Sequence, residues 1–147
     1  MKTERMNTLT KKIMLGIFAT MIVLSFESCT KKVDFLPSTI VPAARGYVQV
    51  KRDKNKNYII KINLSELAEV ERLQTSKQSY VVWMISDQGE TKNLGRINSS
   101  TNTLSNKLKA SFKSVSTFKP TKIFITAENI TNASYPAEQI ILTTDSF

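Results

Sequence analysis

From residue 46 onward, apolar and polar positions alternate with the period of β-strands. Residues 46–52 carry Tyr47, Val48 and Val50, and residues 58–64 set Tyr58, Ile60, Ile62 and Leu64 against Ile59, Lys61 and Asn63. A period of two sends successive side chains to opposite faces, so both segments are predicted as strands joined across the polar turn 53–57. The pattern then changes. Leu64, Leu67, Ala68 and Leu73 recur at roughly helical spacing, and Asn63 with Glu66 has the form of an N-cap box, which predicts one short helix or helical turn within 65–78. Residues 80–85, Tyr-Val-Val-Trp-Met-Ile, are apolar on both faces, as a central buried strand requires. After the turn Asp87-Gln88-Gly89-Glu90, a further strand is predicted over 92–98, where Gly95 marks a bulge or a close backbone approach.

The second half continues in the same way. A polar stretch at 98–102 leads into 104–115, where Leu104, Leu108, Ala110 and Phe112 share one side at spacings of two or four, favouring strand over helix. Pro120 interrupts the chain, and 122–128 is a strand burying Ile123, Phe124, Ile125 and Ala127. Residues 129–136 form a loop and 139–144 close the domain. About seven short strands separated by regular turns predict an all-β, immunoglobulin-like antiparallel β-sandwich over 45–147.

The N-terminus has a different character. Lys2, Arg5, Lys11 and Lys12 precede the apolar run 13–26, which reaches Cys29, the single cysteine, through Glu27 and Ser28. This predominantly apolar run of 14 residues is short for a bilayer span, which needs about 20, and suits a cleaved leader, whose apolar region needs about 7 to 15. The run Leu24-Ser25-Phe26-Glu27-Ser28-Cys29 resembles a bacterial lipobox, most closely the relaxed form of Bacteroidetes lipoproteins with serine before the cysteine. That resemblance implies a signal peptide over 1–28, acylation of Cys29 and a membrane lipid anchor. Residues 29–44, with Pro37 and Pro42, are then expected to be an extended tether holding the domain off the membrane. Lys31 and Lys32 stand where surface-exposed lipoproteins of that group carry acids, so the expected location is the outer membrane, facing the periplasm.

Charge and composition narrow the chemistry. The chain has 21 Lys and Arg against 12 Asp and Glu, and removing the four basic and two acidic residues of 1–28 leaves a net charge of +7. Such a charge favours anionic surfaces, and an envelope location favours lipid headgroups or acidic glycans over nucleic acid. Lys51, Arg52, Lys54 and Lys56 crowd one turn and read first as a solvated hairpin tip. There is no histidine, which removes the usual general base near neutral pH and the commonest metal ligand.

The residues of the sandwich resemble one known family. Residues 80–85 followed by Asp87, Gly89 and Asn93-Leu94-Gly95 are similar to the aromatic-x-x-Trp strand and the Leu-Gly strand of the C-terminal extracytoplasmic domain of anti-sigma-K factors. Phe124-Ile125-Thr126-Ala127-Glu128, Tyr135-Pro136 and Ile140-Ile141-Leu142 are similar to that domain's Val-Thr-x-Glu strand, Pro-containing loop and closing strand. The likeness extends over 45–144 and implies the fold. It does not imply sigma-factor binding, because residues 1–12 are too few to form the cytoplasmic helical domain that performs it.

No catalytic group, metal site or cofactor is expected. Asp87 and Glu90 could form an acid–base pair as in glycosidases, but both flank Gly89 in a hairpin turn and read first as solvated acids. Glu128 reads as a carboxylate accepting backbone hydrogen bonds from loop 129–136. Trp83, with Tyr80 and Tyr135, could stack on a ligand, but within so apolar a strand it reads as core. The expected function is a non-catalytic, membrane-anchored envelope module that meets a protein partner. The alternatives are a regulatory role in a sigma/anti-sigma system and, more weakly, glycan binding.

Overall fold

The computed structural model describes residues 7–9, 12–14, 30–73, 77–100, 109–130, 132–137 and 139–147. Among the described residues nine strands run in the order β1 (Thr30–Asp34), β2 (Arg45–Arg52), β3 (Tyr58–Ser65), β4 (Ser79–Ser86), β5 (Thr91–Arg96), β6 (Asn98–Ser100), β7 (Lys109–Ser116), β8 (Pro120–Glu128) and β9 (Ile140–Thr143). They form a five-stranded sheet, β1-β2-β3-β7-β6, and a four-stranded sheet, β5-β4-β8-β9, with every pair antiparallel. This is an immunoglobulin-like sandwich, in which the chain passes between the sheets from β3 to β4 and back again from β5 to β6.

The alternation seen in the sequence decides which side chains meet between the sheets. Val48, Val50, Ile60, Ile62 and Leu64 face Val82, Met84, Ile123, Ile125 and Leu142 in one core. Two sandwich sides are closed, which leaves little open edge for unwanted pairing. At one side Phe35 bridges Thr144, and the Leu36 amide donates to the Thr143 carbonyl at 2.8 Å. At the other the chain passes from β5 into β6 through buried Ile97.

Two strands exceed the seven predicted, and one of them corrects the expected tether. Residues 30–34 are extended but paired to β2 over their whole length, with Val33 opposite Val48 and Asp34 opposite Tyr47. The rest of the segment is packed as well. The Ser38 hydroxyl donates to the Ile141 carbonyl at 2.6 Å and accepts from the Ile40 and Val41 amides, while Val41 and Ala44 are buried. Polar Lys31 and Lys32 conceal the strand because only Val33 and Phe35 supply its apolar side. The sandwich therefore starts at residue 30, not 45. All of its core and every hydrogen bond described within it lie inside 30–147, so that segment is the folding unit.

The helical prediction also changes. Residues 70–72 make a single 3-10 turn with no side-chain cap, Asn63 is part of β3, and Glu66 has φ of 58°, so no capping box forms. Gly95 does mark an irregularity. It has φ of 122° beside a register shift between β4 and β5, and its amide donates to Asn93 Oδ1 at 2.9 Å. Residues 101–108, which include Leu104 and Leu108, lie outside the described residues.

Candidate functional site

Cys29 and most of the leader lie outside the described residues. Among the described residues no helix is long and apolar enough to cross a membrane. The other acids and aromatics singled out by their chemistry lie on the four-stranded sheet and its connections, where the structure links Trp83 to Glu128 and places Tyr80, Asp87, Glu90 and Tyr135 separately.

The outward face of the four-stranded sheet holds a small second core. Val81, Trp83 and Phe124 are buried there, with Ile85 and Ala133 against them. Trp83 is fully buried and stacks on Phe124 with ring centroids 6.4 Å apart. This explains why 80–85 is apolar on both sides: one face meets the main core, and the other is covered by the β8–β9 connection carrying Ala133. Tyr80 points into the main core, where its hydroxyl donates to the Ala68 carbonyl at 3.0 Å, and Tyr135 is 84% exposed. The three aromatics therefore form no common stacking surface.

Glu128 belongs to a buried polar chain on this same face. Trp83 Nε1 donates to Thr126 Oγ1 at 2.8 Å, the Thr126 hydroxyl donates to Glu128 Oε1 at 2.6 Å, and the Ala137 amide donates to the same oxygen at 2.8 Å. The carboxylate sits at 7% exposure and pins the β8–β9 connection to the sheet through Ala137, just past the loop predicted to engage it. The Thr126–Glu128 spacing of two was the available sequence signal, since it places both on one strand face. The link to Trp83 comes from the neighbouring strand, through the pairing of Val81 with Thr126 and of Trp83 with Phe124.

Asp87 and Glu90 occupy the exposed β4–β5 hairpin. The Glu90 carboxylate pairs with Lys92 Nζ at 2.8 Å, and Ser86 exchanges hydrogen bonds with the Glu90 backbone. Both acids are exposed. Among the described residues, no three Asp, Glu, Cys or His side chains come together as metal ligands.

A concave surface lies elsewhere, on the outward face of the five-stranded sheet. A groove of about 760 Å³ is bordered by Asp34, Arg45, Tyr47, Asn63, Lys109 and Ser111. Arg45 is oriented by its Nη1, which donates to the Pro42 and Ala44 carbonyls at 2.6 and 2.8 Å. Lys32 lies over the Tyr47 ring, with Nζ 4.2 Å from its centroid. The groove therefore sets two cations, Arg45 and Lys109, and one carboxylate, Asp34, around an apolar lining that includes Phe35, Leu64 and Ala110.

Comparison of the chain with protein-family models, curated proteins and solved structures finds no match.

Proposed function

We propose that this chain is a lipoprotein of the bacterial cell envelope, attached through acylated Cys29 to the outer membrane on its periplasmic side. The sandwich acts as a non-catalytic interaction module. The observation that carries this reading is the leader itself: four basic residues, a predominantly apolar run of 14 residues and then the single cysteine, with a strand starting at the very next residue. Its candidate carboxylates support a binding role over a catalytic one. Glu128 is engaged in fastening a loop, and Asp87 and Glu90 are solvated in a hairpin. The likeness to anti-sigma-K extracytoplasmic domains bears on the fold alone, and the proposed partner is an envelope protein, not a sigma factor.

Metabolic labelling with an alkyne fatty acid, followed by membrane fractionation, tests the anchor. Wild-type protein is expected to carry label and to stay with membranes washed in high salt, whereas Cys29→Ala loses the label and is released by the wash. Two or three acyl chains hold a protein far more firmly than one, because each buried methylene contributes about 0.8 kcal/mol. Unlabelled wild type, or Cys29→Ala that resists the high-salt wash, would overturn the proposal.

A further inference from the structure

The outward face of the five-stranded sheet carries a charge pattern that folding does not require. Alternate residues of β1, β2, β3 and β7 share this face, so residues in register form rows across it. The row nearest residue 29 consists of Thr30, Lys51, Ile59 and Val115. The next is Lys32, Gln49, Lys61 and Lys113, with Lys61 directly opposite Lys113. Arg45 and Lys109 lie further along, and Asp34 is the one acid in these rows. Like charges directly opposed across a ladder destabilise it. The Glu69–Arg72 and Glu90–Lys92 ion pairs lie elsewhere and do nothing to relieve the Lys61–Lys113 pairing.

An anionic surface would turn that repulsion into attraction, and two features select a bilayer over a soluble polyanion. The sheet begins at residue 30, so no slack separates Cys29 from its edge strand. In the row closest to that end, Val115 is 56% exposed beside half-buried Ile59, which puts apolar side chains among lysines. Apolar residues interleaved with cations suit the boundary between headgroups and acyl chains.

We propose that this face lies against a bilayer containing anionic phospholipids, with Lys32, Lys51, Lys61 and Lys113 contacting headgroup phosphates. The orientation at the membrane rests on the lipid-anchor reading, but the affinity of the face for anionic headgroups does not. A segment without Cys29 therefore tests the face alone.

Residues 30–147 are sedimented with vesicles of phosphatidylcholine alone and with vesicles of equal parts phosphatidylcholine and phosphatidylglycerol. Binding is expected only to the anionic vesicles and is expected to weaken as salt is raised. Each lysine near an anionic surface contributes about five-fold in affinity, so Lys61→Gln with Lys113→Gln should weaken binding roughly 25-fold. Lys77→Gln with Lys122→Gln makes the same change in net charge away from this face. It should alter binding by no more than about two-fold, because the opposite sheet is about one screening length away. Val115→Ser should weaken vesicle binding at unchanged charge. No binding to anionic vesicles, equal binding to neutral ones, or equal losses in the two double variants would overturn the proposal. Retention on dextran sulfate without vesicle binding would overturn it in favour of a soluble polyanion. Failure of the anchor shows separately, as wild type that takes up no fatty-acid label and is washed off membranes by high salt while residues 30–147 still bind vesicles.

Discussion

Thr126 is where one atom decides the most. Its hydroxyl accepts from Trp83 Nε1 at 2.8 Å and donates to Glu128 Oε1 at 2.6 Å, and Thr126 is fully buried. Thr126→Val keeps the shape and removes both bonds. It strands the indole N–H, which costs about 1 to 3 kcal/mol when buried, and takes from the carboxylate a bond of the charged class, about 1.5 to 3 kcal/mol. Glu128 keeps its bond from the Ala137 amide, so the two costs do not add fully, and a net loss of about 2 to 4 kcal/mol is expected. Thr126→Ser retains the hydroxyl and gives up only one methyl, about 1 kcal/mol. Urea unfolding of residues 30–147, followed by the fluorescence of Trp83, measures both, since Trp83 is the single tryptophan. With a slope of about 1 to 3 kcal/mol per molar urea, the valine variant should unfold at least about 0.7 M earlier than wild type. A valine variant within about 0.5 kcal/mol of the serine variant would show that the chain of hydrogen bonds does not hold this face together.

Three other substitutions address separate parts of the fold. Phe35→Ala should cost about 1 to 3 kcal/mol in the same unfolding assay, because Phe35 packs on the main core and bridges to Thr144; a value near zero would restore the free tether. Gly46→Ala should destabilise by about 1 to 3 kcal/mol, since an added Cβ would stand 2.4 Å from the Asn63 carbonyl oxygen and 2.5 Å from Leu64 Cδ2. Thermal unfolding with no loss would refute that contact. Lys61→Glu should raise stability by about 0.2 to 1 kcal/mol by placing opposite charges across the β3–β7 ladder, with the gain shrinking in high salt. A salt-independent change of either sign would exclude the electrostatic explanation.

The sequence was most legible where burial repeats over a whole strand. β3 and β8 emerge within two residues of their observed ends because Ile60, Ile62 and Leu64, or Ile123, Ile125 and Ala127, recur every second position. β1 and β6 were hidden for the opposite reason. β1 has only Val33 and Phe35 to mark an inward side, and β6 is three residues long, so both depend on neighbours already in place. The helical turn is present at 70–72, but its predicted cap is not, because Asn63 still belongs to β3 and Glu66 turns the chain with a positive φ. Among the candidate site residues, the buried state of Trp83 and the loop-fastening role of Glu128 were readable from one strand each. Their connection through Thr126 was not, because it arises from the register between β4 and β8.

The same dependence on register explains the basic face. Lys32, Lys51, Lys61 and Lys113 are scattered over 82 positions, and along the chain only Lys51 belongs to an evident cluster, the one that reads as a hairpin tip. The structure divides that cluster: Lys54 and Lys56 stay in the turn, while Lys51 joins lysines from three other strands. Each of these lysines is locally the ordinary polar partner of an inward Val, Ile or Phe, which any solvated strand needs. Their assembly on one face is a property of strand order. Strand order also brings residue 30, and with it the position after Cys29, to the edge of that same face, so the basic rows and the proposed anchor lie on one side of the molecule. An anchor at β9 or β5 would instead have placed it at an edge of the sheet that carries Glu128 and Trp83.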